Sequence, residues 1–184
     1  LEGLAKDPMM ADALLRKIDY SAMQPIATRF EDSIELVKFL ENIALQRSNC
    51  ELVIADRTFS RQNISNFFQS DYCLGAGHEE GVYISGQFVS VLSGRPVMMM
   101  SVPVKDAEGT ELGLISAVLD IADLSVYLRD LQQPGQYTVV LDRYNSALID
   151  TRVVGTGQGS VTANDPVISR AITEIKRSHG ENGV

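Results

Sequence analysis

The residue with the most chemical potential in this chain is Asp120, a carboxylate at the end of the apolar run Leu112–Ile121. Burying a lone carboxylate costs several kcal/mol unless it is paired or hydrogen-bonded, so its position needs a reason. Two are open. Asp120 caps the helix that follows, in competition with Asp123, or pairs with Arg95 or another basic group; or it lies in a cleft and binds a ligand ammonium or a donor-rich solute. Tyr83, Ser85 and Phe88 are placed on a facing strand, and Met98 and Met100 share one face of their own strand. Alternating methionines are ordinary core residues whose adaptable shape also suits a small-molecule pocket. Phe68 and Tyr72 lie in the aromatic-rich, irregular stretch 59–77, which fits a binding loop or lid, or else a plug for the end of the core. Asp120, Tyr83, Ser85, Phe88, Phe68, Tyr72, Arg95, Met98 and Met100 are the candidate ligand site.

Signatures of other chemistry are missing. His78 and His179 belong to no zinc-protease pattern, and no nucleophile elbow is present. The glycines at 155, 157 and 159 lack the lysine and hydroxyl residue of a phosphate-binding loop and read as a hairpin turn. Cys50 and Cys73 have no metal-ligand spacing; they are two buried free thiols or an extracellular disulfide. Catalysis, a metal and a cofactor are therefore not expected. A net charge of −8 and a pI near 4.7 argue against nucleic acid as partner, since phosphates demand a basic patch. With 184 residues and 45% apolar content, the composition is that of a globular chain able to bury a real core. No run approaches the length of a membrane helix. The chain starts without an initiator methionine or signal peptide and reads as a piece of a longer product.

The elements that must position Asp120 follow from periodicity. Asp7-Pro8 starts a helix carrying Met9, Met10, Ala13, Leu14 and Ile18. A stronger helix follows Pro25, with Ile26, Phe30, Ile34, Val37, Leu40 and Ala44 on one face and Leu36, Phe39 and Ile43 widening it. So broad a stripe packs on both the sheet and a second partner, or pairs with its own copy. Glu51–Asp56 is the first predicted strand. From Gly81 to Asp120, three apolar runs are separated by Ser93-Gly94-Arg95-Pro96 and by Lys105–Gly109, which predicts an antiparallel meander. Asp123–Leu131 is a short helix capped by Asp123, and Tyr137–Leu141 another strand. Val53-Ile54-Ala55-Asp56-Arg57 reappears as Val139-Val140-Leu141-Asp142-Arg143, the start of a second copy that stops short.

Taken in order, these residues resemble a known family. Long amphipathic helices precede Val53–Arg57. Asn66-Phe67-Phe68-Gln69 is followed by Tyr83-Ile84-Ser85, Ser93-Gly94-Arg95-Pro96-Val97, Ser101-Val102-Pro103-Val104 and Gly113–Ile121. The sequence is similar to the double Cache sensors, the extracytoplasmic PAS-like domains of bacterial chemoreceptors, sensor kinases and diguanylate cyclases. The resemblance implies an α+β fold: N-terminal stalk helices (1–48) packed on a PAS-like antiparallel sheet in a membrane-distal module (49–132), then a partial membrane-proximal module (133–184). It implies a non-enzymatic sensor tethered to the inner membrane with its sensing part in the periplasm, dimerising through the long helix and binding a small molecule in the distal pocket. Amino-acid-binding members use an aspartate matching Asp120 for the ammonium. For the carboxylate they use an arginine and a tryptophan-tyrosine pair where this chain has Ser65-Asn66-Phe67-Phe68; Phe88 stands where a tyrosine is usual. An amino acid, an amine, a carboxylate and another small solute all stay open, with Arg61 and Arg95 as alternative anion contacts. A dimerisation module of the same fold with no ligand is the rival reading.

Overall fold

The structure, a computed structural model, describes residues 1–15, 23–55, 81–142, 147–152, 166 and 170. The chain opens with α1 (Glu2–Ala5), α2 (Pro8–Leu15) and α3 (Gln24–Leu36), followed by β1 (Leu40–Arg47) and β2 (Leu52–Ala55). After the undescribed stretch come β3 (Tyr83–Ile84), β4 (Phe88–Val89), β5 (Pro96–Lys105), β6 (Glu111–Asp120) and α4 (Ile121–Asp130). A hairpin of β7 (Val139–Leu141) and β8 (Ala147–Asp150) ends the described elements.

The helix starts follow local chemistry. Asp7 accepts the Met9 N–H at 2.9 Å, capping α2, and Pro25 occupies the first turn of α3. The end of α3 departs from the periodicity. Val37 is already extended, and Leu40–Arg47, predicted to continue the helix, is instead a strand. Neither glycine nor proline marks that stop. The strand forms because residues 40–47 pair antiparallel with β6 on one side and β2 on the other. Arg47 at its end donates to the Leu14 carbonyl, placing a cation at the C-terminus of α2.

The six-stranded sheet has the order β2-β1-β6-β5-β3, with β4 also paired to β5. Every pairing is antiparallel, as the short turns require. The fold is the predicted mixture of N-terminal helices and antiparallel sheet. Because side chains alternate along a strand, the register divides the sheet into two faces. One carries Ile43 and Leu45 of β1, Ile54 of β2, Val102 and Val104 of β5, and Ile115 and Ala117 of β6. Met10, Leu14, Ile26 and Phe30 of the helices bury themselves against it. The same face continues through Met98 and Leu119 to Ile121 and Leu124 of α4 and Ile149 of β8.

The hairpin β7–β8 forms a second, two-stranded sheet. Helix then hairpin, α4-β7-β8, repeats α3-β1-β2. The sequence match of residues 53–57 to 139–143 covers β2 in its first copy and β7 in its second.

Candidate functional site

The second face of the sheet is buried and mixed, with Val97, Met99, Leu114 and Val118 set among polar side chains. Asn42 and Gln46 of β1, Ser101 of β5, Ser116 and Asp120 of β6, and Tyr83 of β3 all lie on it and are almost wholly inaccessible. The middle row crosses five strands as Ala55, Ala44, Ser116, Ser101 and Tyr83. The two serine hydroxyls lie 2.8 Å apart in this row, one donating to the other. One hydroxyl hydrogen bridges the pair, which leaves the second hydrogen to donate elsewhere. Gln46, two residues from Ala44 along β1, is only 1% exposed, and its Oε1 has no hydrogen-bond partner. Buried polar atoms are nearly always satisfied, so this acceptor is an exception that calls for a function.

Asp120 sits at the end of the same face. It is 2% exposed and the only charged residue among the buried described ones. Both of its oxygens are engaged. Oδ1 accepts the Asp123 N–H at 2.9 Å, so Asp120 and not Asp123 is the N-cap of α4, which begins at Ile121. Oδ2 lies 2.9 Å from Arg95 Nε in an ion pair whose angle is poor for a hydrogen bond. Arg95 Nη2 reaches Asp123 Oδ2 at 3.2 Å, so the guanidinium lies between two carboxylates. The expected roles of cap and of Arg95 partner are thus both realised.

The position of Arg95 is built rather than incidental. Gly94 adopts φ +70°, and the Ser90 N–H and C=O close the turn onto Arg95 and Gly94. Ser90 and Ser93 hydroxyls donate to the two oxygens of Glu41, which pins the turn to β1.

The other predicted residues separate. Tyr83 shares the second face, directly opposite Ser101. Phe88 stands opposite Val97, the neighbour of Asp120 across the ladder. Ser85 is buried but its hydroxyl is spent on backbone: it accepts the Met99 N–H at 2.8 Å and donates to the Gly86 carbonyl at 2.8 Å. Met98 and Met100 belong to the opposite face, opposite Leu119 and Ala117, and Met98 is core beside Ile121 and Leu124. A single-residue alternation on β5 separates them from Asp120. Phe68, Tyr72, Arg61 and the stretch 65–68 lie outside the described residues, as do the glycines at 155–159 and both histidines. Cys50 is disulfide-bonded, which overturns the reading of two free thiols; Cys73 is the only other cysteine in the chain.

Asn42, Gln46, Ser101 and Ser116 were absent from the predicted site. The serines did leave a signal, each interrupting an apolar strand. The β1 pair was hidden by the helical reading of residues 40–44.

A separate open cleft of about 430 Å³ lies between the end of α4 and the approach to β7, lined by Leu128, Leu131, Gln132, Gln136 and Tyr137 among others. No predicted site residue lines it. Beside it, Thr151 accepts the Thr138 N–H at 2.9 Å and a bond from Gln132, tying α4 to the hairpin. Arg152 stacks 4.6 Å over the Tyr137 ring and forks onto Asp150, with Nε 2.9 Å from Oδ1 and Nη2 2.7 Å from Oδ2. That side-chain bond outweighs burial and holds the Asp150 carboxyl below its ordinary pKa. A carboxylate lowered in the folded state adds stability above its unfolded pKa and loses it as the pH falls through the folded value. Urea denaturation should show Asp150→Asn less stable than the wild type near neutrality, with the gap closing below about pH 4. A gap that stays constant on acidification would remove the pair from the stabilising interactions.

Together, a helical layer, an antiparallel sheet and a second helix–hairpin unit make a mixed α+β fold. No family model and no curated protein matches the chain. Among solved structures it is similar to the ligand-binding domain of the Campylobacter jejuni chemoreceptor Tlp3 in complex with L-valine, with a TM-score of 0.61, 13% identity, and coverage of 94% of this chain and 68% of that one. It is also similar to the extracellular domain of the histidine kinase rpHK1S-Z16 (TM-score 0.64, 17% identity, 94% and 71% coverage). A third is the sensor domain of the V. cholerae histidine kinase DctB (TM-score 0.57, 17% identity, 95% and 66% coverage). At these identities the likeness is one of fold.

Proposed function

We propose that the chain is the ligand-binding sensor domain of a bacterial transmembrane receptor, taking a small solute on the mixed face of its sheet. The observation that carries this reading is the unequal chemistry of the two faces. Three helices bury the apolar one, while the other gathers a serine pair, an unsatisfied carboxamide and a buried carboxylate. Fold neighbours include domains crystallised with L-valine and L-serine, which supports a small-molecule partner here. The disulfide at Cys50 supports an oxidising compartment, hence a periplasmic or extracellular position. None of the described helices is long and apolar enough to cross a membrane. Met9, Leu15 and Leu36 on the N-terminal helices are exposed, which supports pairing of two copies along that layer.

Signalling in this reading is a population shift: the solute binds one arrangement of helices better than the other. The path available is short. Asp120 on the solute-facing side caps α4, and Ile121 and Leu124 of α4 pack with Ile149 of the second hairpin.

A thermal-shift screen over amino acids, amines, carboxylates, amides and polyols tests the reading. A true ligand at a hundred times its Kd adds about 2.7 kcal/mol, which for a domain of this size raises Tm by roughly 5–10 °C. A flat response across all five classes rejects the sensor role.

A further inference from the structure

We infer that the solute is uncharged, and that it is recognised by hydrogen bonds to Gln46 and the Ser101–Ser116 pair rather than by an ion pair to Asp120. This inference rests on the sensor reading above and narrows it. A buried carboxylate in a binding site ordinarily selects for a cation. Here the cation is already part of the chain: Arg95 Nε lies 2.9 Å from Asp120 Oδ2, and the other oxygen is committed to the Asp123 N–H. An incoming ammonium would have to displace a guanidinium that Asp123 also holds, in a turn fixed by Ser90, Ser93 and Glu41.

Outside the Asp120–Arg95 ion pair, whose Oδ2 also lacks a hydrogen bond, the groups with capacity to spare among the described residues of this face are neutral. Gln46 Oε1 is an acceptor without a donor, and the serine pair has a hydroxyl hydrogen beyond the one that bridges it. Both rise from the same face, Gln46 one row from Ser116. Neutral acceptors and donors buried from water bind a matching neutral group well, whereas a charge placed on them would be desolvated without a counter-ion. The site therefore fits a solute that offers one donor and one acceptor and carries no net or local charge, such as a carboxamide or a polyol.

Matched probes separate the possibilities: N-acetylglycinamide and myo-inositol as neutral solutes, glycinamide and ethanolamine as cations, and L-alanine and L-serine as zwitterions. The expected result by calorimetry is binding of a neutral probe and none of the charged ones. Gln46→Leu and Ser116→Ala should each weaken that binding about tenfold, the loss of one buried hydrogen bond, while Asp120→Asn leaves it within about twofold. Arg95→Ala, at a half-exposed position, should open Asp120 and admit the cationic probes. Binding of a cation or zwitterion to the wild type, weakened by Asp120→Asn, overturns the inference and leaves the sensor reading intact. So does neutral binding indifferent to both Gln46→Leu and Ser116→Ala. Failure of all six probes overturns the inference, and the broad screen above then decides the sensor reading separately.

Discussion

Gly113→Ala should destabilise the protein more than any other single methyl addition in the sheet. Gly113 lies on β6 opposite Arg47 of β1 and Val104 of β5, on the face covered by α2. A Cβ there would collide with the Gln46 carbonyl oxygen and come within 3.0 Å of that carbonyl's carbon and of Leu14 Cδ2. The leucine can rotate, but the Gln46 carbonyl is backbone held by the pairing of β1 with β6 and cannot move as freely. Glycine in a strand interior ordinarily weakens it, and one required by close backbone approach is the exception. Replacing glycine stiffens the unfolded chain and returns about 0.4–1 kcal/mol, which does not offset overpacking of about 3 kcal/mol or more. Denaturant titration should therefore show a large drop in midpoint with the slope preserved. The variant also tests the site, since the displaced backbone is that of Gln46. Ligand affinity should fall along with stability in Gly113→Ala, and a variant as stable as wild type would show that β1 and β6 have room to spare.

Much of this architecture is legible in the residues, and the failures share one cause. The hairpin β5–β6 is plain because two long apolar runs flank a polar connection with glycine at φ +85°. Its neighbour β1 is not. Ile26, Phe30, Ile34, Val37, Leu40 and Ala44 recur at helical spacing, yet only the first half of that run is helix. The second half holds an alternation that competes with the first: Asn42 and Gln46 on one face, Ile43 and Leu45 on the other. Local sequence cannot rank the two periods, because the deciding free energy is pairing with β6, more than sixty residues away. That one error had consequences. It concealed Asn42 and Gln46 and lengthened the helix. That Met98 and Met100 lie on the face opposite Asp120 was hidden for a related reason: the face a strand residue occupies depends on register, and register becomes visible only once the partner strands are known. Asp120 was conspicuous because a carboxylate terminating an apolar strand is costly whatever the fold.

Asp120→Ala is expected to cost about 2–3 kcal/mol, combining the loss of an N-cap with removal of the buried half of an ion pair. The partition between the two can be argued from exposure. Arg95 is 52% exposed and also contacts Asp123, so it remains solvated and paired when Asp120 is gone. The Asp123 N–H, by contrast, loses its acceptor at a helix terminus where no intrahelical partner exists. The cap should therefore carry most of the loss. Asp120→Asn keeps an oxygen in the place of Oδ1 and removes only the charge, so its cost should be about 1 kcal/mol or less, in the range of a half-exposed ion pair. Arg95→Ala, which strands the buried Asp120 carboxylate without its counter-ion, should cost more than Asp120→Asn. Equal costs for the alanine and asparagine variants would instead make the ion pair the dominant contribution. Amide hydrogen exchange distinguishes how far the damage travels. Frayed at its first turn, α4 loosens Ile121 and Leu124, and these are the residues that hold Ile149 and the second hairpin against the sheet. Faster exchange in residues 121–124 together with residues 139–141 and 147–150 would show the cap and the hairpin moving as one unit. Confined to residues 121–124, it would mean that the end of the mixed face and the second module are mechanically separate, and that signal transfer takes another route.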